Sequence, residues 1–161
     1  MKANKLVFAV LAALMTSNVA LAATSGTVLL QGTVAAATDI SVVENTANNT
    51  SLNIVDGESN KNVATATETS NNLAGYKVKI SSTTAGELRN SSDVTKKTTY
   101  KIAYDGAAAV TPTVAGVEVK NVTSLSGLTS DSSNVNVDVT AYPTAPAGTY
   151  SDTLTIAIEA N

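Results

Sequence analysis

Apolar residues in the second half of this chain fall at every second position, and that spacing constrains the fold more than any other feature of the sequence. In AGYKVKISS (74–82), Tyr76, Val78 and Ile80 take one side while Lys77 and Lys79 take the other. TYKIAYDGA (99–107) repeats the pattern with Tyr100, Ile102 and Tyr104. It then reaches Asp105-Gly106, a pair suited to a tight hairpin turn because both residues tolerate positive φ. GVEVKNV (116–122) and NVNVDVTAY (134–142) alternate as cleanly, and GTYSDTLTIAIEAN (148–161) aligns Leu154, Ile156 and Ile158. A period of two belongs to half-buried strands, not to helices. Turn-rich stretches at 44–51, 56–62, 89–93, 126–133 and 143–148 separate the segments, and no strong helical pattern follows residue 22. The expected class is all-β, an antiparallel β-sandwich.

The first residues read as a processing signal. Lys2 and Lys5 precede the apolar run Leu6 to Met15 and the small-residue triplet Ala20-Leu21-Ala22, the order of a secretory signal peptide. The run is shorter than the ~20 apolar residues needed to span a bilayer, so residues 1–22 are expected to be removed and no membrane span to remain in the mature chain. The remaining 139 residues suit one domain. They carry 8 basic against 13 acidic residues, a balance with no basic footprint for nucleic acid or anionic lipid.

Composition removes most catalytic chemistry. Without His or Cys there is no imidazole base, no thiolate nucleophile, no His/Cys zinc site and no disulfide. Aromatic content is 4 %, with one Phe and no Trp, so the core must be assembled from Val, Ile, Leu, Ala and a few Tyr. Glu44, Asp56, Glu58, Asp93, Asp131 and Asp138 lie in polar, turn-like stretches and read as solvated loop residues. DSSNVNVD (131–138) lacks the order of an EF-hand calcium loop, and its interleaved valines read as an amphipathic strand. Tyr76, Tyr100 and Tyr104 share the phase of neighbouring Val and Ile, which puts them on the buried face with hydroxyls at the rim. An enzyme is not expected, nor a cofactor.

SGTVLLQGTVAAATDISV (25–42) stands apart. It is too long for one sandwich strand: Val28, Leu30, Gly32 and Val34 share one side, and Ile40 and Val42 begin a second alternation beyond Ala35 to Ala37. Taken alone, it could be the first edge strand of a self-complete sandwich. However, the order Gly26-Thr27-Val28-x-Leu30-x-Gly32-x-Val34, close behind a signal peptide, resembles the N-terminal extension of chaperone–usher fimbrial (pilin) subunits. PTAPAGTYSDTLTIAI resembles the last strand of these pilins and of spore-coat-U type secreted domains, and ATETSNNLAGYKVKISS (64–82) gives a weaker middle match. Type 1-like members usually carry a cysteine near the positions of Thr38 and Asp39 and a penultimate aromatic. Neither is present, so the likeness is to the cysteine-free classes.

The resemblance implies an incomplete immunoglobulin-like antiparallel β-sandwich with an N-terminal donor-strand extension. Residues 23–34 would be the extension and 35–161 the pilin domain. Val28, Leu30, Gly32 and Val34 would enter a neighbouring subunit's groove, while Leu154, Ile156 and Ile158 would lie in the strand lining the acceptor groove and pairing with a chaperone. It implies a structural subunit of an adhesive pilus that polymerises by donor-strand exchange. Its partners would be neighbouring subunits, a periplasmic chaperone and an outer-membrane usher. Its route would run through the periplasm to the surface of a Gram-negative bacterium. Two other readings stand beside it: a self-complete secreted β-sandwich that binds a ligand or carbohydrate as a monomer, and a secreted hydrolase using carboxylates.

Overall fold

A computed structural model of the chain describes residues 25–161; the expected signal peptide and residues 23 and 24 lie outside them. The chain divides into two units, 1–33 and 34–161. In the first, residues 25–33 belong to no helix or strand, and Val28 and Leu30 are 81 % and 89 % exposed.

The second unit is nearly all β, with antiparallel strands throughout its two sheets. Its strands are β1 (Thr38–Glu44), β2 (Glu58–Ser70), β3 (Tyr76–Ser82), β4 (Glu87–Asn90), β5 (Lys97–Tyr104), β6 (Val117–Val122), β7 (Thr129–Val139), β8 (Tyr150–Ser151) and β9 (Leu154–Ala160). One four-residue helix, α1 (Thr46–Asn49), follows β1. The larger sheet has the order β1-β2-β7-β5-β4-β8 and the smaller the order β6-β3-β9. Among the described residues no helix is long and apolar enough to cross a membrane.

The alternating segments become strands for the expected reason. Tyr76, Val78 and Ile80 on β3 are fully buried, as are Ile102 and Tyr104 on β5, while the lysines between them stay outside. Val135, Val137 and Val139 bury the inner face of β7, so 131–138 is the amphipathic strand expected of it. Asp105 and Gly106 adopt φ of 51° and 74°, and the Ala107 amide donates to the Tyr104 carbonyl. The turn therefore forms, but its return leg is a single bridge, Val110 to Ile102.

The long β2 departs from expectation, because 56–62 reads as a turn. Asn60 sits at φ 51°, and the β2–β7 register shifts between Glu58 and Lys61 and again between Asn62 and Ala64. Such bulges insert residues and break the period of two, so adjacent Val63 and Ala64 both point into the core. Further along, the outer face is a hydroxyl and amide ladder. Thr65 meets Asn134 at 3.4 Å, Thr67 meets Ser132 at 3.4 Å and Thr69 meets Ser130 at 3.2 Å.

The β2–β3 connection closes on Gly75, at φ 85°, with the position of an added Cβ only 1.8 Å from the Val122 carbonyl oxygen. Gly106 has the same sign of φ but open space around it. Gly75→Ala should therefore cost at least ~2 kcal/mol, combining strain with a backbone clash, and Gly106→Ala about 1 kcal/mol from strain alone. Paired urea unfolding curves measure the difference.

Candidate functional site

β1 and β9 are edge strands of opposite sheets, each hydrogen-bonded to one neighbour among the described residues: β1 to β2, and β9 to β3. Between them lies a groove of about 460 Å³. Its floor includes Val63, Leu88, Tyr100, Val135, Val137 and Val139, which are members of the hydrophobic core itself. Val42 and Glu44 of β1 form one rim, Leu154 and Ile156 of β9 the other, and Leu52 with Tyr150 to Thr153 frame one end. These floor residues are nevertheless buried, so the groove runs over the core without laying it bare.

Leu154, Ile156 and Ile158 alternate on β9 as expected. All three are half-buried and pack against the core, and Leu154 and Ile156 line the groove directly. Val34 is 87 % exposed, and Gly32 has no neighbour within 4 Å of where a Cβ would stand. The groove offers an apolar floor flanked by strand edges whose outward backbone groups lack strand partners among the described residues. An extended apolar segment is the ligand such a site suits, since it supplies both side chains and a hydrogen-bonding backbone.

Two polar clusters hold the walls. At the point where the chain leaves β8 in one sheet for β9 in the other, the Asp152 carboxylate accepts hydrogen bonds from Ser82 Oγ at 2.5 Å, Thr83 Oγ1 at 2.6 Å and Tyr100 Oη at 2.5 Å. It also accepts from the Thr84 amide at 3.2 Å and the Thr153 amide at 2.7 Å. Burial alone would raise this carboxyl's pKa, but the bonds from Ser82, Thr83, Tyr100 and Thr84 outweigh it and bring the value down to about 2. Burial, and then the bond to Asp152, push the Tyr100 phenol up.

The second cluster is Glu68, whose side chain is fully buried. It accepts from Tyr104 Oη, from Lys120 Nζ at 3.1 Å and from Ser133 Oγ at 3.2 Å. Lys120 also bonds Ser133 and pairs with Asp105 at 3.4 Å. Burial opposes the Lys120 charge, but the bond to Glu68 prevails and its pKa is raised, keeping the ammonium charged. Lys120 reaches inward because Val78 pairs with Lys120 while Lys79 pairs with Glu118, leaving Val119 as a bulge.

These clusters correct one expectation. Two tyrosine hydroxyls are not at the rim: Tyr104 turns its hydroxyl inward to Glu68, and the Tyr76 hydroxyl is buried with no hydrogen-bond partner among the described residues, whereas the Tyr100 hydroxyl reaches Asp152 at the end of the groove. Sequence reading also missed Glu68 and Asp152. Glu68 carries a usable signal, because it shares the phase of Ala64, Ala66 and Ser70 while Thr65, Thr67 and Thr69 take the other side. Asp152 carries none, since its role depends on a strand changing sheets.

No protein-family model matches the chain, and a search of curated proteins returns no match.

Lys120→Met would leave Glu68 buried without its counter-ion and should cost about 3 kcal/mol, with part recovered when Glu68→Gln is added; urea midpoints of the single and double variants test this. For Asp152 the folded-state pKa lies below the unfolded one. Its contribution is therefore complete above pH ~4 and lost as pH falls towards 2. Asp152→Asn should unfold more easily at pH 7, and the gap to the parent should shrink across that acidic window in thermal melts.

Proposed function

We propose that this chain is a structural subunit of an adhesive surface pilus that assembles by donor-strand exchange. In this reading its two sheets form an immunoglobulin-like sandwich short of one strand, and residues 23–34 supply that strand to the next molecule. The observation that carries the reading is the groove between β1 and β9, floored by the core's own Val63, Tyr100, Val135 and Val137. An apolar furrow with strand edges on both sides is a demand for a strand.

The exposed alternation of Val28, Leu30 and Val34 in the same chain is a matching supply. Burying three such side chains contributes roughly 5–9 kcal/mol, less the cost of ordering the arm and immobilising a partner. Donor and acceptor surfaces differ, so the contact does not close on a two-fold axis and propagates as a fibre. Export to the periplasm, transient capping of β9 by a chaperone and delivery through an outer-membrane usher complete the proposal. Neither catalysis nor a cofactor forms part of it.

The test removes residues 23–34 and adds back a synthetic peptide of residues 25–36. The native peptide should raise the thermal midpoint by about 10 °C or more, and a Leu30→Arg peptide should leave it near its starting value. A truncated domain that is already stable and indifferent to both peptides would instead be a self-complete sandwich, and the proposal would fall.

A further inference from the structure

The root of the arm is clamped. Asn71 accepts from the Ala37 amide through Oδ1 at 2.8 Å, donates from Nδ2 to the Ala35 carbonyl at 2.8 Å, and donates its own amide to the Ala37 carbonyl at 3.0 Å. These bonds fasten the chain to one pole of the domain immediately after Val34. The same pole holds the end of β9, where Asn72 Nδ2 donates to the Asn161 carbonyl at 3.2 Å, and the 123–128 loop, where the Leu125 amide donates to the Leu73 carbonyl. Leu73 and Leu128 lie here, 70 % and 68 % exposed.

The opposite pole is the Leu154 end of the groove. Tyr150 and Leu52 frame it, and the Ile54 carbonyl accepts from the Tyr142 amide there, beside the half-exposed Val55. Every strand pair within the two sheets is antiparallel. An arm that pairs antiparallel to β9 in the same way would place Val34 at the Leu154 end.

Resting on the donor-strand reading, we infer that the pole bearing Leu73 and Leu128 seats directly on the Val55 pole of the next copy of this chain. Ala35 to Ala37 could span only about 10 Å if fully extended, and the Asn71 clamp removes even that slack. With Val34 in the groove, the two poles are held within about 10 Å of each other around the arm. The joint between subunits is then a seated contact with apolar residues on both faces, not a tether.

The absence of cysteine makes the test clean. Leu73→Cys and Val55→Cys, both on exposed side chains, are introduced together and singly into the full chain, and its polymers are treated with a short bismaleimide. The double variant should give a denaturant-resistant ladder extending beyond dimers, and neither single variant should. Leu73→Lys with Leu128→Lys should leave polymers that dissociate in urea roughly tenfold faster or more. Polymers that form but give no ladder, or covalent dimers from Leu73→Cys alone, overturn the pole contact while leaving the donor-strand reading intact. Polymers indifferent to the two lysines overturn it as well. A chain that forms no polymer overturns both.

Discussion

The edges of the two sheets, β1 and β9, face each other over the hydrophobic core, and the rest of the architecture can be understood from that line. Val63, Val135, Val137 and Tyr100 belong to the core, yet they also floor a groove. With no disulfide and few aromatic residues, the domain's stability rests on burying these side chains. The framework around the opening is correspondingly polar and tied. Asp152 fixes the point where the last strand changes sheets, and Asn161 Nδ2 donates to the Ala74 carbonyl at 3.1 Å and the Val122 carbonyl at 2.7 Å at the far end of β9. A strand fastened at both ends presents its edge in one register.

The buried Glu68 cluster serves the smaller sheet in a similar way. A charge without solvent demands partners: Ser133 and Tyr104 come from β7 and β5 of the same sheet as β2, and Lys120 from β6, so that its bond joins the two sheets. Replacing such a pair by apolar residues often costs little, whereas removing one member costs a good deal. The cluster therefore penalises displacement of one sheet relative to the other more than it adds net stability.

Much of the strand content was legible because alternation is a local property. Tyr76, Val78 and Ile80, or Val135, Val137 and Val139, announce their inner face within a few residues. β2 was hidden because its two register shifts put Val63 and Ala64 side by side on the same face. Lys120 looked like an outer residue until the bulge at Val119 is known. For the candidate site, Leu154 and Ile156 were readable from their spacing. The groove was not, since its floor is assembled from β2, β4, β5 and β7, and such neighbours follow from topology, not from any one segment.

The ladder on the outside of β2 and β7 has a further physical meaning. Thr65, Thr67 and Thr69 bond Asn134, Ser132 and Ser130 across the strands, so these side chains answer one another. A molecule landing on those rungs would have to break bonds in order to make them. The paired stretch of that flank is thereby left chemically quiet, with Val43, opposite Thr65, the apolar residue at its border.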